Sequence, residues 1–213
     1  MDCHVAAKPL LAMTTDMKDL KEQIKTDLKQ RLSAKRYQHT ESVVKTALAI
    51  AQEYNIDKGM QEKIEIAAWL HDCCKELKIE ELAMLAKFQK IEIYDTDRRH
   101  PNLLHARVGA RWSEEEYEIC DPYILKAIEE HTLAGKDMLI SSQVLFLADM
   151  LEPNRDKDKP SEALNKLRDM IKRKEPIKDV VLAALNSKIE YMLKKNQEIH
   201  PLSIEHRNAL LNS

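Results

Sequence analysis

The stretch AAWLHDCCKE, residues 67–76, decides how this chain is read. It ends a helical pattern running from about Met60 to Cys74, in which Ile64, Ala67 and His71 recur at three- and four-residue steps and share one apolar stripe. The stripe therefore closes on a histidine instead of a hydrocarbon. Asp72 follows directly at the helix end, and Lys75 stands four residues after His71, one turn further along the same face. A histidine and a carboxylate at one helix end, with a lysine close behind, form the seed of a metal and phosphate site.

The same device recurs on both sides of this stretch. Upstream, helices are predicted over about Asp16–Leu32, with Leu20, Ile24, Leu28 and Leu32 in register, and over Ala34–Tyr54, with Val43, Ala47, Ile50 and Tyr54 inward. His39, four residues before Val43, lies on that second stripe. Downstream, a short helix is expected over Glu80–Phe88, and Ile91–Asn102 reads as a loop. Leu103–Tyr117 follows with Leu104, Val108 and Trp112 aligned, carrying His105. Asp121-Pro122 is a helix start, an N-cap carboxylate before a proline at the first helical position. That helix has Ile124, Ile128 and His131 on one face, with Gly135 in the loop beyond. Ser141 or Ser142 is expected to cap the next helix, which carries Val144, Leu145, Ala148 and Asp149 and is stopped by Pro153; the charged run from Asn154 to Lys159 reads as a loop. Helices over about Ser161–Lys172 and Ile177–Lys195 follow, and His200-Pro201 opens a last one ending near Leu211.

Composition agrees with an all-α fold. Three glycines in 213 residues fall far below the usual ~7%, leaving few residues for the tight turns of a sheet protein. Residues 17–211 are expected to form a single helical bundle with a metal site at its centre, and residues 1–16 a flexible leader outside it. With 34 basic and 36 acidic residues the net charge is −2, so no overall basic field would draw in nucleic acid. Recognition of phosphate must fall to individual side chains. The apolar run Val5–Met13 is broken by Lys8 and Pro9, which argues against a signal peptide, and no stretch has the apolar length of a membrane span. Cys3, Cys73, Cys74 and Cys120 lack the spacing of a disulfide framework. A reduced, cytoplasmic protein is the expectation, with Cys73 and Cys74 as packing residues.

A single histidine on an apolar stripe is ordinarily a satisfied core residue. His39, His71, His105, His131 and Asp149, each on the apolar stripe of a different helix, are another matter. Each buried polar group costs about 1–3 kcal/mol if unpaired, and convergence round an ion removes the cost for all of them. Imidazole and carboxylate suit Fe, Mn, Co or Zn, whereas a closed structural zinc site would use thiolates. An ion in such a site makes water a usable nucleophile near neutral pH and withdraws charge from a phosphoryl oxygen. Arg155, just past Pro153, offers a guanidinium that binds phosphate bidentately.

The segments KRYQHT (35–40), AAWLHDCCKE (67–76), LLHARVGA (103–110), EEHTLAG (129–135), FLADMLEPNRD (146–156) and QEIHPLSIEHRN (197–208), in this order, resemble the YqeK-type HD-domain proteins, a family of symmetrical dinucleoside tetraphosphatases. The likeness covers about residues 17–211. It implies His39, His71, Asp72 and Asp149 as ligands of a divalent or trivalent transition metal, iron being the family's favoured ion; from their own positions Asp72, able to orient the attacking water, and Lys75, reaching a phosphate, are expected to act in catalysis. It implies His105, His131 and Thr132 near the substrate phosphates, or His105 and His131 as ligands of a second ion bridged by Asp72. Arg155 should contact phosphate, and Gln197, Ile199, His200 and Pro201, with Arg207 and Asn208, should line a nucleotide pocket. The activity implied is metal-dependent cleavage of diadenosine tetraphosphate into two ADP. The alternatives are an HD-type hydrolase of a deoxynucleoside triphosphate or guanosine alarmone, and a nucleotide sensor without turnover. Two departures stand out. The usual run after His131-Thr132 is Thr-Gly, here Leu133, Ala134 and Gly135, and Cys73-Cys74 replaces an aromatic-plus-small pair.

Overall fold

The computed structural model describes residues 17–155 and 161–212. The leader expected over residues 1–16, and residues 156–159 of the charged loop, lie outside the described residues. Among the described residues eleven α-helices follow in order: α1 Met17–Arg31, α2 Ala34–Glu53, α3 Lys58–Leu70, α4 Ile79–Phe88, α5 Asp95–Arg99, α6 His105–Tyr117, α7 Pro122–Glu130, α8 Ile140–Leu151, α9 Glu162–Lys172, α10 Ile177–Lys194 and α11 Pro201–Asn212. Among the described residues there is no strand. The fold is all-α.

Helix starts are set by local chemistry. Ser33, Asp57, Asp121 and Ser161 each accept a hydrogen bond from a backbone N–H in the first turn of α2, α3, α7 and α9, through their side-chain oxygens. Helix ends must manage without glycine. Asn55, Lys90, Lys174 and Asn196 take left-handed backbone after α2, α4, α9 and α10, with φ of 53°, 54°, 54° and 51°. The following N–H reaches back to the carbonyl five residues earlier, as in Ile56 to Ala51 and Ile91 to Ala86, which satisfies the orphan carbonyls of the last turn.

The core stripes expected from periodicity are buried: Ile24 and Leu28 on α1, Val43 and Ala47 on α2, Ile64 and Ala67 on α3, Val108 on α6, Ile124 and Ile128 on α7, and Val144, Leu145 and Ala148 on α8. Helices α2, α3, α7 and α8 pack on one another, α6 lies against α7, and α10 joins α8 to α9 and α11. All the described helices except α5 contribute to one hydrophobic core.

Three local expectations need correction. Helix α3 ends at Leu70, and residues 71–76 wind in tight turns held by Cys73 N–H to Leu70 O and Lys75 N–H to Asp72 O, the shorter i→i+3 bonds that often close a helix. The loop expected over Ile91–Asn102 contains α5 and leads into a 3₁₀ turn at Pro101–Leu104. Asp97, wholly buried, accepts the Tyr94 N–H at 2.9 Å and so caps α5 locally, while Arg107 and His200 hold its carboxylate from other elements, which hydrophobic spacing does not display. Finally, Leu139 and not a serine precedes α8. Ser141 lies inside the helix and donates to the Tyr123 carbonyl at 2.6 Å, tying α8 to α7, and Ser142 is buried beside it.

Candidate metal centre

The helix ends and one helix face bring the singled-out residues together. His39 comes from the first half of α2, His71 caps α3, His105 opens α6, His131 caps α7, and Asp149 lies in the last turn of α8. Asp72 stands in the turn between them, with only 3% of its surface exposed.

Three of the four histidines are held by one device. Nδ1 of His71 and of His131 each lie 2.7 Å from the carbonyl three residues earlier, that of Ala68 and of Ile128. His105 Nδ1 makes the same contact with the Asn102 carbonyl. His39 Nδ1 instead faces Glu152 Oε1 at 3.2 Å. An acceptor at Nδ1 places the neutral ring's proton there and leaves Nε2 with a lone pair. All four Nε2 atoms point inward. His39 Nε2 is 3.2 Å from Asp149 Oδ1 and 3.6 Å from Asp72 Oδ2, and His71 Nε2 is 3.5 Å from the same Asp72 oxygen. On the other side, His105 and His131 Nε2 lie 3.2 and 3.7 Å from Asp72 Oδ1 and 3.1 Å from each other.

This arrangement is a test of fit for a metal, and it is passed. Lone pairs of four imidazoles face carboxylate oxygens, a set of acceptors without enough donors. The buried Nε2 atoms of His39 and His71 have no hydrogen-bond partner at all. The donor atoms fall into two groups with metal-ligand spacing, His39–His71–Asp72 and Asp72–His105–His131, which overlap at Asp72. A divalent cation suits such a nitrogen and oxygen set, and the carbonyls and Glu152 that hold each Nδ1 fix the rings as imidazole ligands need.

The electrostatics favour a cation in the same place. Burial pushes the Asp72 carboxyl up, but His71, His105 and His131 outweigh it and hold its pKa well below the usual carboxylate range. Asp149 behaves alike, with His39, Arg155 and His71 overcoming burial. For His71, burial is outweighed by Asp72 and Asp149 and the pKa rises. Burial lowers His105, and lowers His131 to about 4.

The cluster opens into a cavity of about 550 Å³. Five cationic side chains line it: Lys35, Arg36, Lys75, Arg155 and Lys188. Arg36 Nη1 donates to Asp72 Oδ2 at 2.7 Å and Arg155 Nη2 to Asp149 Oδ1 at 2.5 Å. Lys75 Nζ lies 3.2 Å from His105 Nε2, and burial lowers its pKa. Lys188 donates to the Thr132 carbonyl, and burial brings it down to about 8. Thr132 Oγ1 stands 3.1 Å from His131 Nε2. The loop after it takes positive φ at Ala134 (61°), and Gly135 packs so close to Glu130 that a Cβ there would come within 2.1 Å of its carboxylate. Cys73 and Cys74 are buried behind the centre, where Gly109 lets α6 approach; a Cβ there would lie 3.2 Å from Cys73 Sγ.

The other predicted residues lie elsewhere. Gln197, Ile199, His200, Pro201, Arg207 and Asn208 line neither this cavity nor the one adjoining it. His200 is buried against Asp97, its Nε2 3.3 Å from Oδ1, and Arg207 Nε donates to Asn186 at 2.9 Å. Conversely, Arg36, Glu152 and Lys188 join the centre without having been singled out. Lys188 had a signal: it continues the stripe Val181, Ala184, Leu185 on α10 and so was bound to face inward.

Comparison with known proteins agrees with the geometry. The HD domain family model matches residues 36–154. A Halalkalibacterium halodurans protein named bis(5'-nucleosyl)-tetraphosphatase, symmetrical, is 35% identical over 86% of this chain and 93% of its own. A Bacillus subtilis protein of the same name is 30% identical over 82% and 88%. A crystal structure from Clostridium acetobutylicum, described as that of a predicted HD superfamily hydrolase involved in NAD metabolism, superposes with a TM-score of 0.79 at 30% identity, covering 90% of this chain and 96% of the other. The chain belongs to the HD-domain family, in the YqeK-type branch whose relatives are named symmetrical bis(5'-nucleosyl)-tetraphosphatases.

Proposed function

We propose that this protein hydrolyses diadenosine tetraphosphate symmetrically to two ADP, using transition-metal ions held by Asp72 and the histidines around it. The observation that carries the reading is the meeting of four inward Nε2 atoms and two carboxylates with a cavity walled by five cations. His39, His71, Asp72 and Asp149 would hold one ion, and Asp72, His105 and His131 would hold a second. Iron is the favoured metal, with Mn, Co or Zn as substitutes that nitrogen and oxygen donors also accept. When bound, the ions supply a nucleophile from water and draw charge from a phosphoryl oxygen.

The chain's own residues do the rest. Arg155, Lys75 and Lys188 grip the phosphates, and Thr132 donates a further hydrogen bond. Their fixed distances from Asp72 set which phosphorus stands in line, so symmetry of cleavage is a matter of register. Arg36, joined to Asp72, offsets charge that develops on the phosphoryl oxygens. Buried thiols at Cys73 and Cys74 suit a reduced, cytoplasmic setting, and a net charge of −2 gives no general attraction to nucleic acid.

Chromatography of the products tests the proposal. ADP as sole product from diadenosine tetraphosphate supports it. AMP with ATP, the asymmetric cut, overturns it, as does turnover confined to a deoxynucleoside triphosphate or a guanosine alarmone.

A further inference from the structure

A second cavity, of about 620 Å³, meets the first along His131, Asp149, Arg155 and Lys188. Its character differs. Between α8, α9 and α10 it is walled by Phe146, Met150, Leu164 and Tyr191, so its floor is apolar where the first cavity is cationic. Tyr191 is 57% exposed at this mouth, with Lys195 Nζ 6.0 Å from its ring centroid, whereas Val180, Val181, Ala184 and Leu185 earlier in α10 are buried. An aromatic ring this exposed beside an apolar hollow offers a face on which a flat ligand can stack.

Phe146 lies deeper and already carries Lys188 over its ring, 5.9 Å from the centroid. That lysine thus touches both cavities: an aromatic floor on one side, the phosphate-seeking wall on the other. A ligand that fills the second cavity while reaching the metal centre must be flat and apolar at one end and polyanionic at the other. This is the chemistry of a nucleoside with its phosphate chain.

We infer that the cavity between α8, α9 and α10 is the nucleoside subsite for one half of the substrate, with the Tyr191 ring as the stacking face for the base. The inference rests on the proposed function and deepens it. A molecule cut at its midpoint must extend to both sides of the reacting centre. Here the two cavities flank His131 and Asp149, one suited to phosphates and one to a base. Tyr191 is a binding residue, not one that touches the reacting atoms, so its effect falls on affinity.

The test compares Tyr191→Ala, Tyr191→Phe and Ala163→Trp in the metal-loaded protein. Ala163 is an exposed wall residue, so the tryptophan fills the cavity without entering the core. Tyr191→Ala should raise KM for diadenosine tetraphosphate at least about fivefold, the lower end of what one base–aromatic stack contributes, with kcat within about twofold of wild type. Ala163→Trp should act in the same direction, and Tyr191→Phe should behave as wild type. ADP binding should weaken in parallel, while inorganic pyrophosphate binding stays unchanged in all three. Unchanged KM in Tyr191→Ala, or equal losses for ADP and pyrophosphate, overturns the subsite. If the wild-type protein fails to cleave diadenosine tetraphosphate yet ADP binding still depends on the ring, the proposed activity falls and the subsite stands.

Discussion

Two buried clusters in this protein are built from the same residue types and behave in opposite ways. At Asp97, the carboxylate accepts Arg107 Nη2 at 2.6 Å on Oδ1 and the Tyr94 N–H at 2.9 Å on Oδ2, with His200 Nε2 3.3 Å away. His200 Nδ1 accepts the Leu202 N–H at 3.1 Å, so its proton sits on Nε2, facing the carboxylate. Around Asp72 the tautomer is reversed: Nδ1 is occupied by carbonyls or Glu152, and Nε2 presents a lone pair. The first cluster pairs its carboxylate with a guanidinium and an amide and fastens α5, α6 and the start of α11, although His200 Nε2 and Arg107 Nε make no hydrogen bond of good geometry. The second is left with surplus acceptors beside an open cavity. Burial of polar groups does not by itself make a site; what counts is the balance of donors and acceptors that remains.

The contrast can be broken at its two carboxylates. Asp72→Ala removes the carboxylate shared by both ligand groups, and with it the ions that withdraw phosphoryl charge, so it should lower kcat/KM at least ~10²-fold, with a smaller loss of thermal stability than Asp97→Ala. Asp97→Ala leaves Arg107 and His200 buried without their partner and should cost about 3–5 kcal/mol of stability, read as a fall in Tm, while kcat/KM per folded molecule stays near wild type. If Asp97→Ala abolished activity in folded protein, or Asp72→Ala merely lowered Tm, the two clusters would have exchanged roles.

A smaller effect sharpens the picture. Glu152 is 2% exposed, and its contact with His39 Nδ1 fixes that ring. Glu152→Gln should weaken metal binding by about 10- to 100-fold, the usual range for an orienting partner of a ligand, measured by competition with a chelator.

The smallest is a pH effect at Lys188. Burial lowers its pKa from 10.5 to about 8. Between these values the unfolded chain keeps a proton the folded chain has released, so the contribution of Lys188 to stability rises with pH across that window. The Tm of wild type relative to Lys188→Met should therefore increase from pH 8 to pH 10. A constant difference would show that the lysine titrates normally.

Much of this architecture was legible in the sequence because it rests on helical periodicity. The stripes through Val43, Ile64, Ile128 and Val144 are all in the core, and His39, His71, His105, His131 and Asp149 lie where their stripes placed them. Short range chemistry was legible too: Asp121-Pro122 starts α7, and Pro153 ends α8. What escaped depends on distant partners. Helix α5 is held by buried Asp97, which pairs with Arg107 and His200 from other elements. Arg36 gains its meaning only when α2 lies beside the turn after α3, and Glu152 only when the end of α8 lies beside α2, since each contacts a ligand more than thirty residues away. The tract from Gln197 to Asn208 was read through resemblance, and no periodicity indicated which way it faced.

Metal content per chain, measured in protein loaded with ferrous ion and freed of excess, tests the centre most directly. The overlap of two ligand groups at Asp72 predicts two ions in wild type, about one in His39→Ala, about one in His105→Ala, and close to none in Asp72→Ala. Wild-type metal content in folded Asp72→Ala would contradict the account.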